Sequence, residues 1–379
     1  MICSTLRRVT LACEVLDNFG DAGITWRLAC QLADEWQADI TIAIDLPELL
    51  TLWQENRERR RTQESESSPA SQRIRIVKLD HPDATQSRPD LIIAMLGTTV
   101  PAAMRAQIRE QKIGWIRYEY LTAEPWVDSF HGLRSIKPDD GMTEWFYYPG
   151  YTLASGGLLR EKTLLDDLAP FTKPHSNASG ETRHWLEARQ LDSPAEHFRV
   201  CLFGYAEPDT QALIDALLAQ PRPMSIFISE SLAKGLSLDM TDARLRPHAW
   251  LDQPDFDRLL ASCDLNLVRG EDSWLRAQWT GQPMFWQPYR QPEGGHIDKL
   301  NGYLNRLLAS TDAPVANTLR QAMLAVNHGG DLASALPAWF SQREQIKTIH
   351  QQWRAQLAAQ SSLSERLLQF CRDQLQLSL

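Results

Sequence analysis

The sequence lacks the short motifs that mark several common enzyme classes. It has no CxxC pair, no histidine spacing that completes a zinc site, no HExxH, no GxSxG nucleophile elbow and no P-loop. Its six cysteines are scattered along the chain, so we expect reduced thiols, most of them small core residues. Zinc-dependent chemistry, serine-type acyl transfer and P-loop phosphate binding are therefore disfavoured.

Long apolar runs and a surplus of positive charge are also missing. No segment approaches the roughly 18 apolar residues of a membrane span. Glu14 and Asp17 follow the basic N-terminus too closely to leave room for the apolar part of a signal peptide. We therefore expect a cytoplasmic protein with no membrane partner. The net charge of −9 argues against direct nucleic-acid binding and favours a small molecule or a specific protein as partner.

What the chain does contain is an alternation of strands and helices. Its 379 residues suit two domains, and 43% apolar with 23% charged residues is typical of a globular protein. In the first half, β-branched runs alternate with helical patterns, which predicts a parallel sheet flanked by helices. The predicted strands are 8–16, 38–45, 73–79, 90–96 and 112–120, with helices at 24–36 and 46–59 and a polar loop at 57–72.

A second α/β unit is predicted after a polar linker at 171–182. Its predicted strands are 197–205, 224–230 and 264–270, with helices at 209–219 and 255–263 and an almost wholly helical chain from 295 onward. We therefore assign 1–170 to an N-terminal domain, 183–350 to a C-terminal domain and 351–379 to helices that pack back on the first domain. The sequence thus predicts an α/β fold of two Rossmann-like domains facing a cleft, with a helical C-terminus.

The first chemically informative segment is LDNFGDAGITWRL, which begins at Leu16. Its position after a strand and before a helix is where α/β proteins commonly bind phosphate, but Asp17 and Asp21 would repel a phosphate. A dinucleotide-binding loop, with Asp45 as the ribose-binding acid, is disfavoured because GDAGIT lacks the middle glycine. The aspartates remain open to two interpretations: a helix cap with a turn-stabilising side chain, or a catalytic base.

The second segment, VRGEDSWLRAQW, joins a predicted strand to a predicted helix. The first turn of a helix offers N–H donors and the positive end of a dipole. Arg269 and Ser273 are therefore candidates to bind a phosphate, and Glu271 is a candidate to accept a hydrogen bond from a ribose hydroxyl. The structural alternative is that Glu271 and Asp272 cap the helix and that Arg269 pairs with a structural carboxylate.

Aromatic residues near strand ends form a third set. Phe203 and Tyr205 end the first predicted strand of the second domain, and Trp250 lies shortly before Gln253. Aromatic rings beside an amide can stack on a nucleobase and hydrogen-bond to it. Core packing is the more common use of aromatics at strand ends, so this set points to a nucleotide only together with the phosphate-binding segment.

Several blocks resemble one family, the bacterial protein-arginine rhamnosyltransferases that modify translation elongation factor P (the EarP family). They are VLDNFGDAGITWRLACQLA, YEYLTAEPWVDSFHGL, FYYPGYTLASGGLLRE and VRGEDSWLRAQWTGQPMFWQPYRQPEGGHIDKLNGYL. The resemblance spans about residues 11–304 with the order of blocks retained. DNFGDxG followed much later by RGEDSxxRAQWxGxP is a specific combination.

The resemblance implies a GT-B glycosyltransferase that transfers L-rhamnose from dTDP-β-L-rhamnose to an arginine of elongation factor P, with inversion and without a metal ion or other cofactor. It implies that Asp21 is the general base and that Asp17 and Glu271 are further essential acids. Its donor-binding positions correspond to Phe203, Tyr205, Trp250, Gln253, Arg269, Glu271, Asp272 and Ser273. Trp250 and Gln253 would contact thymine, while Asp272 and Ser273 would contact the diphosphate.

Three alternatives stay open from the sequence. A GT-B enzyme could use another nucleotide sugar or another acceptor. A protein that only binds a partner would be expected to lose its acidic base, whereas Asp17, Asp21 and Glu271 are all present. A dehydrogenase is disfavoured by the missing glycine. How an acceptor protein docks and the oligomeric state lie beyond the sequence.

Overall fold

Runs of valine, isoleucine, leucine and alanine build a largely parallel sheet in the first part of the chain. The computed structural model describes residues 4–16, 18–63, 73–173, 179–291, 294–328 and 330–378. The strands here are β1 (Ser4–Thr5), β2 (Arg8–Cys13), β3 (Asp39–Ile44), β4 (Ile74–Lys78), β5 (Leu91–Met95), β6 (Gly114–Tyr118), β7 (Arg134–Ile136) and β8 (Thr143–Tyr147). Seven form a sheet in the order β4-β3-β2-β5-β6-β8-β7, in which the β7–β8 pair is antiparallel and the other pairs are parallel.

Helices cover this first sheet. They are α1 (Asn18–Glu35), α2 (Glu48–Gln63), α3 (Ala102–Gln111) and α4 (Val127–Phe130). The apolar stripe predicted for the first helix is buried, including Leu28, Leu32 and the tryptophan just after the helix, Trp36. Helix α2 continues into the segment predicted as a polar loop, of which 64–72 lie outside the described residues.

The second sheet is wholly parallel. Its strands are β9 (Phe198–Leu202), β10 (Met224–Ser229), β11 (Leu245–His248), β12 (Leu265–Arg269) and β13 (Met284–Gln287), in the order β11-β10-β9-β12-β13. Its helices are α5 (Leu164–Leu168), α6 (Gly180–Ala188), α7 (Pro208–Leu218), α8 (Glu230–Lys234), α9 (Gln253–Ser262), α10 (Asp272–Thr280), α11 (Gly295–Leu307), α12 (Ala313–His328), α13 (Leu332–Ser341) and α14 (Arg343–Ala358).

The C-terminal segment returns to the first sheet's unit. Helix α15 (Leu363–Leu375) begins with a capping box in which Ser362 and Glu365 bond each other's backbone N–H groups. Strand β14 (Leu377–Ser378) then pairs with β1. The guanidinium of Arg366 donates to the carbonyl of Ser155 at 2.9 Å, which ties this helix to the first part of the chain.

The two units are Met1–Glu161 with Gln360–Leu379, and Lys162–Ala359. These limits differ from the predicted boundaries at 170, 183 and 351. The first unit ends earlier because Leu164 and Leu168 of α5 are buried in the second unit. The second unit extends to Ala359 because Trp353 of α14 donates its indole N–H to Gln278 at 2.9 Å. Of the predicted linker, 174–178 lie outside the described residues, and α6 already begins at Gly180.

Six of the described strands were missed, and others were predicted too long. The missed β1 and β14 have only two residues each. Strands β7, β8, β11 and β13 have three to five residues and little β-branched character, so they gave no period-two signal. Strand β2 ends at Cys13, three residues before the predicted end at Leu16. The predicted strand ends therefore include residues that belong to the loops after the strands.

His131 makes the stability of the first unit depend on pH. Its ring packs against Tyr147 and Phe370 at centroid distances of 4.8 and 5.9 Å, and its Nδ1 accepts the N–H of Tyr148 at 3.1 Å. Burial lowers the pKa of His131 from 6.5 to about 4. The unfolded chain therefore binds more protons between these values, and the free energy of unfolding falls as the pH drops from about 6.5 to about 4.

We expect His131→Asn to flatten this dependence. Asparagine still offers an oxygen to the N–H of Tyr148 but does not titrate. The variant is less stable at neutral pH because it packs less ring surface, yet it should lose up to about 3 kcal/mol less than the wild type on acidification. Urea unfolding at pH values from 4 to 7 measures the difference. Parallel curves for the two proteins would contradict the assignment.

Candidate active site

Most of the predicted site residues lie where parallel strands end. In α/β folds, ligands bind at the carboxyl ends of the strands because the loops there are free to vary. In the first unit, Asp21 lies in the first turn of α1, the helix that follows β2. In the second unit, Tyr205 follows β9, Trp250 follows β11 and Glu271 follows β12. Each unit therefore contributes its own strand-end region.

The connection between β2 and α1 is shorter than the sequence predicted. The helix begins at Asn18 instead of Ile24, so Gly20 and Gly23 lie within its first two turns and not in a loop. A glycine within a helix costs only about 1 kcal/mol relative to alanine, and tertiary packing routinely outweighs such a cost. Ala22, between the two glycines, is fully buried. Asp17 lies outside the described residues.

Three consecutive backbone N–H groups of this connection donate to side chains of the same unit. The N–H of Glu14 donates to Oγ1 of Thr98 at 2.8 Å. The N–H of Val15 donates to Oδ1 of Asp45 at 3.0 Å. The N–H of Leu16 donates to Oδ2 of Asp21 at 2.8 Å. These are the donors that a phosphate-binding loop would direct at its ligand. Here they are already bonded.

Asp21 has the contact expected of a structural side chain at a helix N-terminus. Its role as a base stays a prediction. Its carboxylate accepts the N–H of Leu16, two residues before the helix begins, and only 2% of the residue is exposed. Negative charge also gathers at this strand end. Burial raises the pKa of the Cys13 thiol to about 12, and the charges of Asp21, Asp45 and Glu14 act in the same direction. An anion would meet repulsion in this region, whereas a cation would be attracted.

In the second unit, Arg269 lies between two aromatic rings. Its guanidinium carbon is 5.0 Å from the ring centre of Phe203 and 4.6 Å from that of Tyr205, and Nη1 donates to the carbonyl of Gly204 at 3.2 Å. Stacking of this kind fixes the planar cation in one orientation. The structure thus brings together three residues that the sequence predicted separately.

The turn between β12 and α10 places acidic and hydroxyl groups at a helix N-terminus. Gly270 has a φ of +59°, a conformation that favours glycine, and α10 begins at Asp272. The hydroxyl of Ser273 donates to the carbonyl of Arg269 and accepts its N–H, so the hydroxyl is used within the turn. Any contact of Ser273 with an anion would therefore involve its backbone N–H. Glu271 pairs with Lys299 of α11 at 3.7 Å.

Two buried tryptophans hold this turn in place, one through a hydrogen bond and both through ring stacking. The indole N–H of Trp286 donates to the carbonyl of Gly270 at 2.7 Å. Its ring stacks on Trp274 of α10 with 3.7 Å between ring centres and 2° between planes, and Tyr303 packs edge-on against both. The position of the helix N-terminus is therefore set by a rigid aromatic layer.

Trp250 and Gln253 lie at the start of α9. Trp250 is 47% exposed, which leaves its ring accessible to a ligand. Gln253 is the first residue of the helix, which Asp252 caps by accepting the N–H of Asp255 at 3.1 Å. Phe203 packs against Phe256 of the same helix with 4.8 Å between ring centres. The aromatic set is therefore partly structural and partly exposed.

Sequence reasoning missed four residues that shape these regions: Thr98, Asp45 as a partner of the loop, Trp286 and Lys299. Asp45 was weighed only as a ribose-binding acid. The signal available in the sequence was position, since Asp45 ends one predicted strand and Thr98 follows another. Nothing in the sequence indicated which backbone groups they would bond.

Neither a metal centre nor a membrane span is found in the described residues. No group of three or more His, Cys, Asp or Glu side chains is arranged to hold a metal ion in that part of the chain. Among the helices described, none is both long enough and apolar enough to span a membrane.

Comparison with known proteins gives consistent matches over nearly the whole chain. The family model for "Elongation-Factor P (EF-P) rhamnosyltransferase EarP" matches residues 9–372. Protein-arginine rhamnosyltransferases of Pseudomonas aeruginosa and Pseudomonas putida are 33% and 35% identical, over 95% and 96% of this chain and 98% of each relative.

A solved structure has a similar fold. It is described as the structural basis for EarP-mediated arginine glycosylation of translation elongation factor EF-P, and it has a TM-score of 0.63 with 24% identity. The match covers 97% of this chain and 99% of that one.

The Trp286 hydrogen bond yields a test of the turn. We expect Trp286→Phe to lower the free energy of unfolding of the second unit by about 1–3 kcal/mol more than Trp339→Phe, because a buried carbonyl loses its donor. Trp339 is the matched control: it is also fully buried, and its indole N–H has no hydrogen-bond partner in the described chain. Urea unfolding followed by fluorescence measures both. Equal losses would show that the indole hydrogen bond contributes nothing.

Proposed function

The chain belongs to the EF-P rhamnosyltransferase EarP family, and from this premise we propose that it transfers L-rhamnose from dTDP-β-L-rhamnose to an arginine side chain of translation elongation factor P. It is a glycosyltransferase with the two α/β domains of the GT-B type and a helical C-terminus. We further propose that the transfer inverts the anomeric carbon, uses no metal ion and takes place in the cytoplasm.

The observation that supports this assignment best is the contrast between the two strand-end regions. In the first unit, the loop N–H groups are bonded internally and the carboxylate of Asp21 lies beside them. In the second unit, Arg269 and the N-terminus of α10 supply positive charge at the equivalent edge. The first region suits a cationic acceptor, and the second suits an anionic donor.

Arginine is a difficult nucleophile, which explains a need for carboxylates. Its guanidinium has a pKa above about 12 and spreads its nitrogen lone pairs over the planar group. A carboxylate hydrogen-bonded to one nitrogen orients it and favours localisation of its lone pair. In this proposal Asp21 is that carboxylate, and Asp17 is a second acid that holds the same guanidinium.

The reaction then needs one proton transfer. The guanidinium nitrogen attacks the anomeric carbon, the new C–N bond forms, and the bond from that carbon to the diphosphate oxygen breaks with its electron pair leaving on dTDP. The nitrogen loses one proton, which Asp21 accepts. Attack on the face opposite the leaving diphosphate produces inversion.

The donor is bound by the second unit in this proposal. Arg269, already oriented by two rings, and the backbone N–H groups of Asp272 and Ser273 stabilise the charge that develops on the diphosphate. Glu271 accepts a hydrogen bond from a hydroxyl group of the nucleotide sugar, and its ion pair with Lys299 fixes the position of its carboxylate. Because the charges come from the chain itself, the reaction needs no divalent cation.

Thymine recognition is assigned to the exposed ring of Trp250 with the amide of Gln253. Phe203 and Tyr205 contribute on the nucleotide side by holding Arg269 between their rings. This division gives the aromatic residues two separate roles, one in stacking on the base and one in orienting the cation.

Incubation with dTDP-β-L-rhamnose and elongation factor P tests the function directly. Intact mass spectrometry should show one added deoxyhexose, and fragmentation should place it on an arginine. The same gain is expected in excess EDTA. A panel of other nucleotide sugars serves as the control for the donor. No added mass with folded proteins, or transfer only from a different donor, would overturn the assignment.

We expect Asp21→Asn to lower kcat by at least about 100-fold, because the general base is lost. Asparagine retains an oxygen for the N–H of Leu16, so the loop and the affinity for dTDP should persist. Asp34→Asn is the matched control on the same helix: Asp34 pairs with Arg57 at 2.7 Å, and the variant should keep full activity. Retained transfer in Asp21→Asn would remove Asp21 from the role of base.

A further inference from the structure

The β2–α1 connection has the location of a phosphate-binding loop but not its free donors. Where such loops bind phosphate, backbone N–H groups at the strand end point at the ligand. Here the N–H groups of Glu14, Val15 and Leu16 each donate to a side chain at 2.8–3.0 Å. A phosphate would have to displace these bonds and also approach the carboxylates of Glu14, Asp21 and Asp45 at the same strand end. Hydrogen bonds and carboxylates of the same unit therefore disfavour the binding of an anion at this connection.

Asp45 holds the connection from one side of β2. It directly follows β3, which pairs with β2 so that Ile44 lies opposite Cys13. Its backbone N–H donates to the carbonyl of Cys13 at 3.3 Å, and its carboxylate accepts the N–H of Val15 at 3.0 Å. A dinucleotide-binding fold would use an acid here for a ribose hydroxyl. In this chain the same position bonds the loop.

Thr98 holds the connection from the other side. It follows β5, which pairs with the opposite edge of β2. Its hydroxyl donates to the carbonyl of Met95, so a lone pair is directed at the N–H of Glu14. Leu96 and Gly97 bring it there with φ values of +52° and +79°. A buried leucine rarely adopts a left-handed conformation, and such strain persists where the surroundings enforce it.

We propose that Asp45 and Thr98 are positioning residues of the acceptor region. They hold the β2–α1 connection between two neighbouring strands, which fixes Leu16 against Asp21 and sets where the base presents its carboxylate. They also use the donors that would otherwise favour phosphate, and so they select a cationic substrate for the first unit. This inference rests on the proposed function.

The expected signature is kinetic. Each hydrogen bond adds little to global stability, but a displacement of about 1 Å at a reacting group can lower the rate by about 100-fold. Loss of either bond should therefore lower kcat while the fold and donor affinity persist. A residue with a merely structural role would affect stability and not the chemical step.

Asp45 offers three informative variants. We expect Asp45→Ala to lower kcat for elongation factor P by about 10- to 100-fold at saturating donor. Asp45→Asn should recover most of that loss, because the amide oxygen still accepts the N–H of Val15. Asp39→Ala is the matched control: it removes a carboxylate at the opposite end of β3, where Asp39 pairs with Arg73 at 3.3 Å, and it should leave kcat unchanged.

Two variants of Thr98 provide an independent test if Asp45→Ala does not fold. Thr98→Val loses the hydroxyl at almost constant volume, whereas Thr98→Ser keeps it, so only the valine variant should lose kcat. Binding of dTDP, measured by calorimetry, should be unchanged in every folded variant. Amide hydrogen exchange of the peptide spanning 14–16 should accelerate in Asp45→Ala and in Thr98→Val but not in Asp45→Asn.

Two outcomes would overturn the inference. Wild-type kcat in the alanine and valine variants would show that the bonds do not position the base. Equal losses in Asp45→Ala and Asp45→Asn, with unchanged amide exchange, would show that the charge acts and not the hydrogen bond. If the wild type transfers no rhamnose, the proposed function fails, while the exchange measurement still decides whether these side chains hold the loop.

Discussion

Backbone N–H groups at the end of a parallel strand need an acceptor, and the acceptor they find decides what the adjoining loop can bind. In the first unit the acceptors are Thr98, Asp45 and Asp21, all from the same unit. Because these bonds are made internally, the loop has negative side chains and few donors to offer a ligand. A fold widely used to bind phosphate thereby gains a region suited to a cation.

The second unit satisfies the same constraint differently. Its strand-end turn is held by the hydrogen bond from the indole of Trp286 to the carbonyl of Gly270 and by the stacked indole rings. The carbonyl of Gly270 is therefore hydrogen-bonded, and the N-terminus of α10 points toward the strand-end region. Arg269 is oriented by two rings and by the carbonyl of Gly204, and no ion pair with a carboxylate is found for it among the described residues. The two units thus place different charges at the ends of similar parallel strands.

The sequence predicted the fold class and the family correctly, and it located most strands to within a few residues. It failed at element ends, where α1 begins six residues before the predicted start and β2 ends three residues early. Two glycines were interpreted as loop residues, although a buried helix accommodates them. The roles of the site residues stay predictions, and Asp17 lies outside the described residues.

The sequence by itself determined the alternation of strands and helices, the family pattern and the placement of acidic and basic residues after particular strands. These features are local, since they depend on periodicity and on residue type within one segment. The tertiary structure alone decided which donors those side chains bond. Val15 and Asp45 are 30 residues apart, and Glu14 and Thr98 are 84 apart. Such pairs exist only once the parallel strands have aligned, because strand register brings their ends together.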